Sequence, residues 1–239
     1  MSKRTISRKV LGTAVVLAAS LVMASCSGLN IGPPPAGQLY VLKPATTPPS
    51  DIAPVTWQLA IAVPGAPEAL DTNRIALIRY QSVMDYYANA AWVDHSTLLM
   101  QDLLVEAFEK SGKIKAVAED TEGLRTDYIL QTDIRDFEAQ YDTQNGIPHV
   151  LVRISARLVN TPQRNVIATI TVNQEAAASA NSVPAVAAAF NAATGAALND
   201  IVRWALTTAA PADAASVAAS VDQINADRPA RHRRHHRRR

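Results

Sequence analysis

Hydrophobic residues along this chain follow two rhythms, and each predicts a type of element. Trp57, Leu59, Ile61 and Val63 alternate with Gln58, Ala60 and Ala62, the two-residue repeat of a strand with one buried face. Pro64 and Pro67 stop it. A short strand is expected earlier, over Leu39 to Leu42, followed by a loop containing Pro44, Pro48, Pro49 and Pro54. Arg74 to Tyr80 and Val83 to Tyr87 read as two short strands joined at Gln81-Ser82, a turn without glycine. The rhythm then becomes helical. Leu99, Met100, Leu103, Leu104, Ala107 and Phe108 form one stripe, with Asp94 or Ser96 as candidate N-cap and Gly112 as the stop.

From Thr126 to Ala178 the two-residue rhythm returns in its clearest form. Tyr128, Leu130 and Ile134 alternate with polar residues, Asn145-Gly146 marks a hairpin turn, and Val150, Val152, Ile154, Ala156 and Leu158 alternate with Arg153, Ser155 and Arg157. A turn at residues 161–165 leads into a third strand, Val166 to Glu175, so an antiparallel meander with one apolar face is expected. A second helix follows, with Ser182 as cap, Pro184 in the first turn, and Val186, Phe190, Ala193, Ala197, Ile201 and Trp204 or Ala205 on one side. Gly195 inside it costs about 1 kcal/mol relative to Ala, which points to close packing against a neighbour. The fold class is therefore α+β: a mainly antiparallel sheet with two principal helices packed on one face.

The N-terminal rhythm is neither of these. Lys3, Arg4, Arg8 and Lys9 precede an apolar run from Val10 to Ala24, and small residues lead into Cys26, the only cysteine. A run of about 15 residues is short of the roughly 20 that span a bilayer as a helix and suits a secretory leader. Leu21 to Ser27 resembles a bacterial lipobox, although Met23 stands where leucine is usual. That resemblance implies acylation of Cys26 and its exposure as the new N-terminus; the alternatives are a spare thiol or an uncleaved anchor. The expected organisation is a leader over residues 1–25, a lipidated and Pro-rich spacer over 26–38, a domain over 39–207 and a disordered tail over 208–239.

Charge sharpens this division. The formal net charge is +2, yet four basic residues lie in the leader and seven arginines lie from Arg228 onward, leaving 12 basic against 21 acidic residues between them. An acidic body sent out of the cytoplasm argues against nucleic acid as a partner. Without a second cysteine the domain is held by packing alone. No nucleophile elbow, phosphate loop or spaced Cys/His set is present, so no enzyme, metal or cofactor is expected. His95 beside Asp94 is better read as a surface or capping residue than as a general base. In the tail, His232, His235 and His236 could suggest a metal, but the neighbouring guanidiniums favour anions. Arg233, Arg234, Arg237, Arg238 and Arg239 are candidates for an anion or membrane contact, the alternative being a solvated tail or one that touches the acidic body.

Leu39-Tyr40-Val41-Leu42, Leu70-Asp71-Thr72-Asn73-Arg74-Ile75, Tyr86 through Asp94, Asp127-Tyr128-Ile129-Leu130 and Ile201-Val202-Arg203-Trp204 together resemble the ABC-type transport auxiliary lipoproteins, the PqiC-like family. The resemblance runs from about Leu39 to Trp204 and says nothing about the tail. It implies a periplasm-facing lipoprotein that accompanies an MCE-type substrate-binding subunit and its ABC transporter in moving lipid between envelope membranes. Ser27, directly after Cys26, is similar to sorting signals for the outer membrane. Tyr86, Tyr87 and Trp92 are candidates for the partner interface, with packing in the core as their alternative. Two other roles stay open at this point: a lipid carrier that holds phospholipid between sheet and helices, and an envelope stabiliser acting through the tail.

Overall fold

The computed structural model describes residues 37–209, apart from Gln81, Leu124, Gln144 and Asn145. The predicted leader, most of the spacer and the tail, with Cys26, Ser27 and the Arg/His cluster, lie outside these residues. Eight strands and two long helices follow in order: β1 (Gln38–Tyr40), β2 (Gln58–Ile61), β3 (Arg74–Arg79), β4 (Val83–Trp92), α1 (Ser96–Ser111), β5 (Ala116–Glu119), β6 (Tyr128–Tyr141), β7 (His149–Asn160), β8 (Asn165–Ala177) and α2 (Val183–Thr208). A short 3₁₀ turn, Asp120–Glu122, joins β5 to the segment before β6.

The 14-residue β6 is the spine of one sheet. Its one edge pairs antiparallel with β7, which pairs antiparallel with β8, so the expected meander is present. The other edge is shared. β2 lies parallel to the start of β6, with Leu59 opposite Tyr128, and β3 lies parallel to its end, with Leu77 opposite Ala139. Between them Gly65 bridges to Asp133, so one stretch of chain climbs the same edge in two strands. β5 adds parallel to β2, β4 antiparallel to β3, and β1 parallel to β4. The sheet is therefore mixed, a correction to the mainly antiparallel one expected. Each parallel pair joins residues far apart in sequence, which strand periodicity does not register.

One face of this sheet carries the core. Val150, Val152, Ile154, Ala156 and Leu158 of β7 are all fully buried, and α2 packs on them with Val186, Phe190, Ala193, Ala197, Leu198 and Ile201. α1 covers β2 and β5 and meets α2. Its N-cap is His95, without a side-chain capping bond; neither Asp94 nor Ser96 takes that role. Ser96 is instead buried, its hydroxyl donating to the Leu70 carbonyl at 2.5 Å. Gly112 ends the helix with φ 60°, and its N–H donates to the Glu109 carbonyl, a left-handed position where glycine carries no Cβ penalty. On the opposite sheet face Arg157 pairs with Asp133 at 3.1 Å and Arg153 with Asp136, as the polar positions of the alternation require. α2 is long and apolar enough to cross a membrane, but 67% of its apolar window is buried. Packing on the sheet accounts for that composition.

The Pro-rich loop between β1 and β2 lies along α2 as a strap. The Asn191 carboxamide accepts from the Lys43 N–H at 2.6 Å, the Asn199 carboxamide accepts from the Thr47 N–H at 2.9 Å, and Arg203 grips Asp51 through two bonds of 2.7 and 3.0 Å. These residues recur every four positions, one row on the helix surface. Gly195 completes the row: a Cβ there would lie 2.6 Å from the Ala45 carbonyl oxygen. The close packing expected from a glycine inside the helix is thus found, and its neighbour is the strap.

Candidate docking surface

The sheet has two dissimilar ends. At one end the β3–β4 turn and the β6–β7 loop lie side by side, because Arg79 is in register with Tyr141. Beneath them, Tyr87 donates to the Tyr141 hydroxyl at 2.8 Å, and Tyr141 donates to the Asn181 carboxamide at 2.8 Å. This chain ties β4, β6 and the entrance to α2 together. Burial, with the Tyr141 hydroxyl beside it, pushes the Tyr87 phenol far above its ordinary value, so Tyr87 stays a neutral donor.

Tyr86 points the other way. Its hydroxyl donates to the Ala69 carbonyl at 3.0 Å, and the Arg74 guanidinium sits 3.7 Å from the centre of its ring, a cation–π contact. Both tyrosines are half-buried. Trp92 is 1% exposed and packs edge-on against Phe190, with ring centres 5.1 Å apart, and beside Phe137 at 6.0 Å. The three interface candidates thus separate: Trp92 takes its packing alternative, while Tyr86 and Tyr87 keep part of their surface at the sheet.

A buried acid lies nearby. β6 carries a bulge between Ile134 and Asp136 that reverses its alternation, so core positions shift from Tyr128, Leu130 and Ile134 to Phe137 and Ala139. Glu138 therefore falls on the face away from the helices, opposite Leu151, yet is only 1% exposed. Burial pushes its carboxyl pKa above the ordinary 4.5, against donated bonds from the Gln140 side chain and the Phe137 N–H. The folded state thus holds this proton more tightly than the unfolded chain. Its contribution to stability is fully present below the unfolded pKa and declines as pH rises through the folded one. Glu138→Gln is expected to flatten that decline, raising the melting temperature more at pH 7 than at pH 4; parallel pH profiles of the two proteins would refute it.

Two clefts flank the C-terminal turns of α2, the first at the other end of the sheet and the second beside the middle of β8. One, of about 350 Å³, is mainly apolar, with Ile52, Pro54, Val55, Trp57 and Leu206 in its wall. The Trp57 indole is 4% exposed, stacks edge-on against Tyr128 at 5.2 Å, and its N–H has no hydrogen-bond partner among the described residues. The second, of about 440 Å³, is open and more polar, between β8 and α2, where Gln174 donates to Asp200 at 2.6 Å. Neither cleft was legible in the sequence, because each joins residues more than 25 positions apart. His95 meets Asp71 at 3.3 Å on an exposed surface, and Asp71 also accepts from Thr97. Among the described residues no cluster of His, Cys, Asp and Glu could hold a metal ion.

Residues 40–202 match the family model of the ABC-type transport auxiliary lipoprotein component. A crystal structure of a Xanthomonas campestris protein assigned to the DUF330 family superposes with a TM-score of 0.68 at 33% identity, covering 72% of this chain and 95% of that one. A second crystal structure, of an uncharacterized protein, gives a TM-score of 0.53 at 14% identity over 69% of this chain and 95% of that one, a likeness of fold alone. No curated protein matches the chain.

Proposed function

This chain belongs to the ABC-type transport auxiliary lipoprotein family, the PqiC-like lipoproteins, and from that premise we propose that it docks the substrate-binding subunit of a lipid transporter at the envelope membrane. The observation that carries the reading is the family match over residues 40–202, set behind a lipobox-like stretch ending at Cys26. Membership supports an envelope lipoprotein associated with an ABC-type transport system. The finer steps are the proposal: an MCE-type partner, no catalytic turnover, and outer-membrane placement supported by Ser27. Cys26 supplies the tether, the Pro-rich spacer sets the reach, and the rigid sheet presents the surface. Tyr86 and Tyr87 are its candidate aromatic contacts.

One observation favours a second reading. The apolar cleft beside Trp57, whose indole N–H has no partner among the described residues, has the volume for part of an acyl chain, as a carrier of phospholipid would need. Affinity purification of the full-length acylated protein from gently solubilised envelopes, with mass spectrometry of proteins and lipids, separates the two. Stoichiometric recovery of an MCE-type subunit is the expected result. Recovery of the protein alone with bound phospholipid would replace docking by the carrier role.

A further inference from the structure

Exposed apolar side chains gather where the two hairpins meet. Tyr80, Val83 and Met84 of the β3–β4 hairpin are 55%, 52% and 38% exposed, and Ile147 of the β6–β7 loop is 60% exposed. The register of Arg79 with Tyr141 puts them at one end of the sheet. Tyr80 holds φ 54°, a left-handed conformation uncommon for a bulky residue. Arg79 lies 3.6 Å from Asp85, and the Asp142 carboxylate lies 3.7 Å from the His149 ring. Among the described residues the surface thus combines exposed aliphatic side chains with a tyrosine at its rim, a composition that settles at a membrane interface.

The entry of the chain selects the occupant. β1 runs parallel to β4 with Gln38 opposite Ala90, so its first residue is the one nearer the β3–β4 turn. That turn lies about five strand residues farther on, or roughly 17 Å. From Cys26 to Gly37 there are 11 residues, a contour of up to about 36 Å, enough to let this end reach the lipid that holds Cys26. The opposite end, where α2 finishes at Thr208, is farther by most of a helix of about 39 Å.

We propose that the paired hairpin tips, through Tyr80, Val83, Met84 and Ile147, rest in the headgroup layer of the membrane to which Cys26 is anchored. The domain then stands on that membrane with a fixed orientation, its cleft-bearing end and the origin of the Arg-rich tail held away from the bilayer. This inference rests on the anchoring at Cys26 proposed above.

Because acylation consumes the native thiol, Tyr80→Cys, Ile147→Cys and, as a membrane-distal control, Val166→Cys each give a single labelling site in the mature protein. Each acylated full-length variant carries an environment-sensitive fluorophore and is reconstituted into phosphatidylethanolamine/phosphatidylglycerol vesicles. Spin-labelled phospholipid should quench the probes at 80 and 147 at least twofold more than that at 166, and aqueous iodide should quench them less. Equal quenching at all three sites in protein that floats with the vesicles would overturn the orientation while leaving the anchor intact. Shielding from iodide without quenching by lipid would assign the tips to a contact with a second copy of this chain and also overturn it. Protein that fails to float would overturn both readings.

Discussion

Trp92→Ala is expected to remove a large share of the stability of this domain. The indole is the largest of the fully buried side chains and fills the space where β4, β6 and α2 converge, against Phe137 and Phe190. Those two rings also touch each other, 4.8 Å apart, so the three form one aromatic cluster linking sheet and helix. Truncating a buried Trp to Ala costs about 3–5 kcal/mol, through lost transfer free energy and the cavity left behind. Domains of this size are stable by about 5–15 kcal/mol in all. With no disulfide available, nothing covalent offsets the loss. The measurement is a urea titration of wild type and variant, read by circular dichroism, with a downward shift of the midpoint expected. Trp92→Phe, which keeps a ring between Phe137 and Phe190, should recover about half of the loss. A variant with wild-type stability and weakened capture of the transporter subunit would instead return Trp92 to the interface.

The contrast between Trp92 and the two tyrosines indicates what sequence can convey here. Strand alternation placed β7 almost residue for residue, because every second side chain from Val150 to Leu158 is apolar and only one assignment of faces buries them all. Helix stripes located α1 and α2 for the same reason. Features without local rhythm were missed. β5 is four residues, Ala116–Glu119, held by parallel pairing to β2 across 58 positions of chain. β4 extends past Tyr87 to Trp92 because a register shift with Asn89 at φ 55° lets the strand resume; an Asn in an alternating run gives no such signal. The Asn145-Gly146 turn suggested a tight hairpin, whereas β6 ends at Tyr141 and β7 begins at His149. Gly195 shows the reverse case: its cost inside a helix marked a close contact, but only the three-dimensional arrangement identifies the strap as the neighbour.

The candidate site was the least legible part, for a physical reason. An interface needs residues from separate elements on one surface, and sequence displays them only as isolated aromatics. The apolar cleft at the end of α2 brings residues 52–57 together with residues 206–209, and the hairpin end brings Tyr80 together with Ile147. Both depend on the parallel pairing of β2 and β3 along one edge of β6, which also makes the sheet mixed. The feature that escaped the reading of the fold is therefore the one that builds both of these ends.

The anchor, by contrast, is a matter of sequence alone. Cys26→Ser is expected to abolish lipidation and processing of this protein. Serine lacks the thiol that would carry the diacylglyceryl group, and in lipobox-bearing precursors acylation precedes removal of the leader, so the product should remain an unprocessed precursor. Each buried methylene contributes about 0.8 kcal/mol, and two acyl chains suffice for stable anchoring, whereas one gives marginal binding. Four apolar side chains at the hairpin tips bury far less and cannot substitute for the lipid. Labelling cells with radioactive palmitate should give a processed, labelled band for wild type and none for the variant. The same labelled, shortened band from the serine variant would remove the lipobox reading, and with it the tether on which the docking and the membrane orientation both depend. Loss of label with retention of the precursor in the membrane fraction fits the same mechanism, because the uncleaved leader holds the chain at the site of export. A high-salt wash should leave that precursor in place, since its attachment is apolar and not screened by ions.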